Sequence, residues 1–380
     1  MGEGVAPAAP SEAAGTAGSA PALPLGTGRL ETARLGAFEL ESGVVLPELV
    51  VGYRHDGVRP ADGPQVVVVH ALTGSADAAG DWWEPLIGPG RALDTDRVGV
   101  ICANLLGGRY GTTGPTSTDP TTGRAFGRAF PEVSTRDQAR AQWRLLDALG
   151  IGEVALVTGG SLGGMVALEI AVQQPASVEH VVPIAAPAAT GALAIAWNHI
   201  QIEMLERLGD DGLALARELA MTTYRSETDF AERFGRQLEN DGRPSIVSYL
   251  DHQGDKLVER FDGDTYRILA RAMDLHDIGE GRGGRQAALA PLAAAGTRLT
   301  GIGIEGDILY GPPQVRALVS ASAAADVDAR YRELRSTKGH DAFLVEWDQL
   351  TALLREALEG SVGRPAESKR FDGGWLSLED

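Results

Sequence analysis

The stretch VALVTGGSLGGMVAL, residues 154–168, crowds four glycines, Gly159, Gly160, Gly163 and Gly164, around Ser161. A β-branched run precedes the serine and an apolar helical pattern follows it, so the segment reads strand, turn, helix. G-x-S-x-G in that setting has a mechanical meaning. Small flanking residues permit the tight, strained turn that lifts a serine Oγ above the end of a sheet. The helix start behind it offers unpaired N–H groups and a positive dipole end to a developing oxyanion. A plain Gly-rich turn explains the letters alone. With the strand and the helix in place, Ser161 is expected to be a nucleophile.

Further out, the chain repeats the same grammar. PQVVVVHALTG (64–74), DRVGVICANLLGG (96–108), VEHVVPIAA (178–186) and TRLTGIGIEGD (297–307) are short continuous apolar runs, the mark of strands buried on both faces. Helical segments such as TRDQARAQWRLLDALG (135–150) lie between several of them, which predicts βαβ units and a mostly parallel sheet. GAFELESG (36–43) and LPELVVGYRHDG (46–57) alternate like a pair of hairpin strands. Between about 191 and 290 the strand signal gives way to amphipathic helices, read as a cap inserted into the α/β core. The expected division is a core over 28–190 and 291–362, with this helical cap between. Residues 1–27, mostly Ala, Gly, Pro and Ser, and residues 363–380 are expected to be loose tails, with Trp375 able to dock.

Composition narrows the function. At 380 residues, 43% hydrophobic and 23% charged, the chain is an ordinary globular sequence long enough to bury a large core. Its net charge of −18 opposes nucleic acid and anionic membranes as partners. The single cysteine, Cys102, sits in an apolar run and reads as a core residue. With no disulfide possible, no paired cysteines for zinc and no signal peptide, a cytoplasmic location is expected.

A serine needs a base. Of seven histidines, His180, His199, His252 and His276 fall inside elements or the cap, whereas His340 follows a glycine in the loop STKGHDAF (336–343). Asp307 stands in a turn at a strand end, IEGDILYGPPQ (304–314). The order Ser161, Asp307, His340 is that of an α/β-hydrolase triad, with Asp307 orienting the imidazole and His340 moving the proton. The backbone N–H groups of Leu72 and Leu162 are the expected oxyanion hole, with His70 ordering the Leu72 loop. The fold expected is therefore the α/β-hydrolase fold with a helical cap.

The stretches HALTGSA, NLLGGRYGTTGPTS, GGSLGGMVALE, TYRSETDFAERFGR, SYLDHQGDKLVERFD, AMDLHD, GIEGDILY and GHDAFL, in this order, resemble the homoserine O-acetyltransferases of methionine biosynthesis. The resemblance implies acyl transfer from acetyl-CoA to L-homoserine through acyl-Ser161. It also implies a carboxylate contact at Arg225, an ammonium contact at Asp341, no metal, no tightly bound cofactor and a homodimer formed through cap helices. On the residues alone, Arg225 reads as a helix-surface charge and Asp341 as a helix N-cap. Arg109 replaces a cysteine common in the family and is either a contact to a succinyl or coenzyme A anion or a loop residue. Arg282 and Arg285 in GEGRGGR (279–285) are a flexible turn or an anion contact. Succinyl-CoA as donor, serine as acceptor, an esterase or thioesterase, and a non-catalytic binding protein are the alternatives.

Overall fold

The computed structural model describes residues 23–362. Eight strands form one sheet: β1 (Leu30–Arg34), β2 (Val50–Gly57), β3 (Gln65–Val69), β4 (Gly99–Ala103), β5 (Leu156–Gly160), β6 (His180–Ile184), β7 (Arg298–Ile304) and β8 (Ala329–Leu334). Their spatial order is β1-β2-β4-β3-β5-β6-β7-β8. β2 runs antiparallel to both β1 and β4, and every later pairing is parallel. Crossing helices cover both faces, which is why β3 can be valine at four successive positions. Val67 and Val69 enter one core, and Val66 and Val68 enter the other.

Helices α1 (Thr135–Ala148) and α2 (Leu162–Gln173) pack together on the first face. Ser134 and Asp137 close a capping box at the start of α1. The cap holds α3 (Ala192–Leu208), α4 (Asp210–Tyr224), α5 (Glu227–Arg233), α6 (Ser245–Val258) and α7 (Gly263–Asp274). Its neck is pinned where Thr190 N–H donates to His276 O (2.9 Å) and Ile278 N–H to Ala188 O (3.0 Å). Three more helices follow, α8 (Arg285–Ala295), α9 (Pro312–Ala323) and α10 (Trp347–Val362). Helix α8 runs through residue 290 and packs on α2 and α9, so it belongs with the core layers, and the cap ends near Ile278.

Other expectations need correction. Residues 46–57 do contain a strand, but its long partner is β1, and the stretch 36–43 contributes only a two-residue ladder, Phe38–Glu39 with Val45–Leu46. The strand β8 carries Arg330, Arg332 and Glu333 and is only partly buried, so the apolar-run criterion passes over it. Charged residues suit an edge strand. The expected tail splits at residue 22: residues 1–22 and 363–380, with Trp375, lie outside the described residues. Leu23 and Leu25 pack on the core, and Gly26 N–H donates to His55 Nδ1 (2.9 Å).

The turn after β5 is tightly enclosed. A Cβ on Gly163 would lie 2.1 Å from Val69 O, and one on Gly160 would enter the Phe343 ring at 2.4 Å. Backbone cannot yield as a flexible side chain can. Gly163→Ala is therefore expected to cost about 3 kcal/mol and to misplace Ser161; chemical denaturation, with activity measured on the folded fraction, checks this.

Candidate active site

Ser161 sits between β5 and α2 with φ 58° and ψ −125°, one of four positive-φ non-glycine residues among those described. Such a conformation costs of order 1–3 kcal/mol and survives only where its surroundings dictate it. Here Ser161 N–H donates to Ile184 O (2.9 Å), while Ser161 O accepts from Gly164 N–H (2.9 Å) and Met165 N–H (3.1 Å). Held at both ends, the residue presents its side chain at the C-terminal edge of the sheet. The N–H of Leu162 is the first of α2 and has no acceptor within that helix.

The structure brings Asp307 and His340 together. His340 Nδ1 and Asp307 Oδ2 are 2.7 Å apart, and both side chains are buried. Asp307 is fixed in turn: its Oδ1 accepts from Leu309 N–H (2.8 Å) and Tyr310 N–H (3.1 Å). Three aromatic rings, Tyr224, Tyr310 and Phe343, hold the imidazole with centroids 5.6–5.8 Å away. Its Nε2 is buried and has no hydrogen-bond partner. Burial pulls the His340 pKa down, but the charge and hydrogen bond of Asp307, helped by Asp341, outweigh it and leave the pKa raised.

Leu72 follows β3 in a turn closed by Gly74 N–H to Ala71 O (2.9 Å). His70 orders this loop: its Nε2 accepts from Leu105 N–H (3.1 Å), which leaves Nδ1 to donate to Ala71 O (2.7 Å). Burial pushes its pKa down to about 4, so His70 is neutral and both its nitrogens are engaged. It cannot act as a second base.

Arg225 and Asp341, expected as two ends of a substrate clamp, face one another. Arg225 Nε lies 3.1 Å from Asp341 Oδ2, yet the N–H is misaligned and the nitrogen counts as buried without a hydrogen bond. Arg225 also reaches Asp229, its Nη1 3.7 Å from Oδ2. Burial raises the Asp341 pKa against the opposing pull of Arg225 and Arg217.

A cleft of about 830 Å³ opens beside the Leu72 loop, lined by Ala71, Thr73 and Gly74, by Leu344 beyond His340, and by Arg29, Arg54, Arg217, Lys256 and Arg260. Arg54 is neutralised by Asp56 and Asp77. The other four form no ion pair among the described residues. With Asp77 and Asp81 also in its lining, the cleft still carries an excess of positive charge on a strongly acidic chain.

Arg109 is absent from that wall; it lies 3.5 Å from Asp262, the N-cap of α7. Arg282 lies in a turn, but its side chain is held by the protein. It grips the fully buried Glu169 of α2 through two bonds, 2.9 and 2.7 Å, and Arg285 faces Asp277 at 3.7 Å. His180 and His276 are buried and bonded within the core. Cys102 is buried, and burial raises its thiol pKa. No group of metal-binding side chains occurs among the described residues, and no helix of those described is long and apolar enough to cross a membrane. Sequence reading missed the three rings around His340 and the partners of Arg225, since nothing local announces either.

A strained serine between strand and helix and a buried Asp–His pair on this sheet define a class, and residues 64–266 match the alpha/beta hydrolase fold family. A homoserine O-acetyltransferase of Thermus thermophilus is 43% identical over 351 residues, 84% of this chain and 89% of its own. The homoserine O-acetyltransferase of Bacillus anthracis superposes with a TM-score of 0.81 at 24% identity, covering 88% of this chain and 98% of that one. An acetylester hydrolase from Corynebacterium glutamicum shares the fold at 0.76 and 23%, over 87% and 96%. Within the alpha/beta hydrolases, the chain belongs to the homoserine O-acetyltransferase family and is an acyltransferase.

A histidine acts as base only when neutral, so with His340 as the expected base its raised pKa should set the acid limb of activity above the ordinary histidine value of about 6.5. Asp307→Asn removes the larger raising influence and leaves burial opposed only by the smaller one of Asp341. The limb should move to lower pH while kcat falls roughly a thousandfold or more, as pH–rate profiles of the two proteins will read.

Proposed function

We propose that the protein transfers the acetyl group of acetyl-CoA to the hydroxyl of L-homoserine, releasing coenzyme A and O-acetyl-L-homoserine, by a ping-pong reaction. Two buried nitrogens without hydrogen-bond partners, His340 Nε2 and Arg225 Nε, carry this reading. Buried polar atoms are normally satisfied. A hydroxyl at the first and a carboxylate at the second would satisfy both, and an acceptor that is an amino acid with a side-chain hydroxyl brings the two together. An esterase requires only the first.

In the first half-reaction Ser161 Oγ attacks the thioester carbonyl and its proton passes to His340 Nε2. The oxyanion is held by the Leu72 and Leu162 N–H groups. Collapse breaks the C–S bond, and His340 returns the proton to the departing thiolate. The cationic cleft suits the phosphates of coenzyme A. In the second half-reaction homoserine inserts its zwitterion between Arg225 and Asp341, its carboxylate on the guanidinium and its ammonium on Asp341. His340 takes the hydroxyl proton as that oxygen attacks the acyl carbon. Collapse expels Ser161, which recovers the proton.

The position of Arg109 against Asp262 supports an acetyl donor, since it removes the arginine that would meet a succinyl carboxylate. The assembly proposed is a cytoplasmic homodimer joined through cap helices, where Leu193, Ile200 and Leu208 of α3 and Leu215 of α4 are exposed.

Acetyl-CoA without acceptor should release about one equivalent of coenzyme A and leave an acetyl group on the Ser161 peptide, and homoserine should restore turnover. Ser161→Ala should abolish both. Arg225→Ala should keep acylation and raise the homoserine KM about tenfold or more. Coenzyme A release that no amino acid accelerates would overturn the transferase reading.

A further inference from the structure

Asp229 is a fully buried carboxylate on α5, far along the chain from every triad residue, and it gathers three cations. Lys338 Nζ donates to its Oδ1 (2.7 Å), while Arg233 Nη1 and Arg225 Nη1 stand 3.5 and 3.7 Å from its Oδ2. Arg233 belongs to α5 itself, but Lys338 lies on the core loop two residues before His340. Around this contact the loop and the cap are pressed together. Ser226 Oγ accepts from Asp229 N–H (3.0 Å) and donates to Thr337 O. Gly339, at φ 67°, lies so close that a Cβ there would stand 2.7 Å from Ser226 N.

A buried ion cluster is not an efficient way to stabilise a fold, since apolar residues of similar volume often do as well or better. What a carboxylate with fixed partners does supply is orientation. With Asp341 included, two carboxylates face the three cations Arg225, Arg233 and Lys338. One positive charge is in excess, and Arg225 is the cation of the three that borders the catalytic histidine's neighbour. We infer that Asp229 is the positioning residue for Arg225, and that its bond to Lys338 holds the acceptor's carboxylate seat at a fixed spacing from His340. This rests on the reading of Arg225 as the carboxylate contact. The spacing then selects acceptors by the distance between carboxylate and hydroxyl, which is how one site would separate homoserine from serine.

The test uses the full chain with Asp229→Asn, Lys338→Met and Lys338→Arg, and Arg225→Ala as the calibrator. Asp229→Asn should leave single-turnover acylation by acetyl-CoA within about threefold, yet raise the homoserine KM about tenfold or more, with kcat less affected. With aminopropanol, an acceptor that lacks the carboxylate, it should match the parent. Lys338→Met should raise the homoserine KM about threefold or more, and Lys338→Arg should restore it. If Arg225→Ala raises the KM while folded Asp229→Asn does not, the positioning role is overturned and the carboxylate reading stands. If Arg225→Ala leaves the KM unchanged, the underlying reading fails instead. Equal loss of acylation and transfer in Asp229→Asn would mark a structural residue and overturn the proposal. Should that variant not fold, the Lys338 pair decides: an unchanged KM in Lys338→Met overturns the inference.

Discussion

The backbone conformation of Ser161 is the constraint on which the rest depends. A non-glycine residue at φ 58° is unfavourable by itself, and the sheet enforces it by contacts that leave no room for an alternative. Gly163 lets α2 start within touching distance of Val69 O, at the end of the neighbouring strand. That approach brings the first N–H of α2 and the loop after β3 to the same point in space. Ser161 and the expected oxyanion donors are thus set by one packing event. Phe343 then joins the second loop to the first, since its ring lies against Gly160 and against the His340 imidazole.

The electrostatics are arranged on the same principle, with each charge held by a group that cannot move. Asp307 is locked by two backbone N–H groups before it meets His340, so the imidazole tautomer follows from the turn after β7. His70, of the same residue type, has both nitrogens occupied and no carboxylate among the groups that set its pKa, and burial alone drives it neutral. One histidine is tuned up and another down by the presence or absence of charged neighbours, Asp307 foremost.

Much of this was legible in the sequence because it is encoded over short distances. The elbow needs glycines within three residues of the serine, and strands buried on both faces are written as unbroken apolar runs. Asp307 and His340 could be placed by chain order and by the loops that hold them. What could not be read depends on pairs distant in sequence or on the edges of the sheet. The strands β1 and β8 carry charges because one side of each faces solvent, so the apolar criterion fails there. Arg282 reads as a loop arginine until Glu169, more than a hundred residues earlier, is seen to be fully buried beneath it. Arg109 shows the reverse: an arginine for which the resemblance invites a ligand role faces Asp262 at the start of α7.

The same fold also carries an acetylester hydrolase, so the core alone does not separate transfer to an alcohol from transfer to water. Coverage of 87% of this chain is too much to leave out the helices between β6 and β7, so the presence of a cap does not separate them either. Here the cap adds Tyr224 against the imidazole and, one residue later, Arg225 beside Asp341. In the proposed reaction a ring on the imidazole excludes solvent, and the charged pair beside it concentrates an acceptor that carries both charges. Water competes by abundance, whereas an acceptor held by two charges competes by effective concentration, which can exceed that of bulk water by orders of magnitude. Under the proposed mechanism, transfer and hydrolysis therefore part at individual side chains beside the imidazole, Tyr224, Arg225 and Asp341, rather than at the fold.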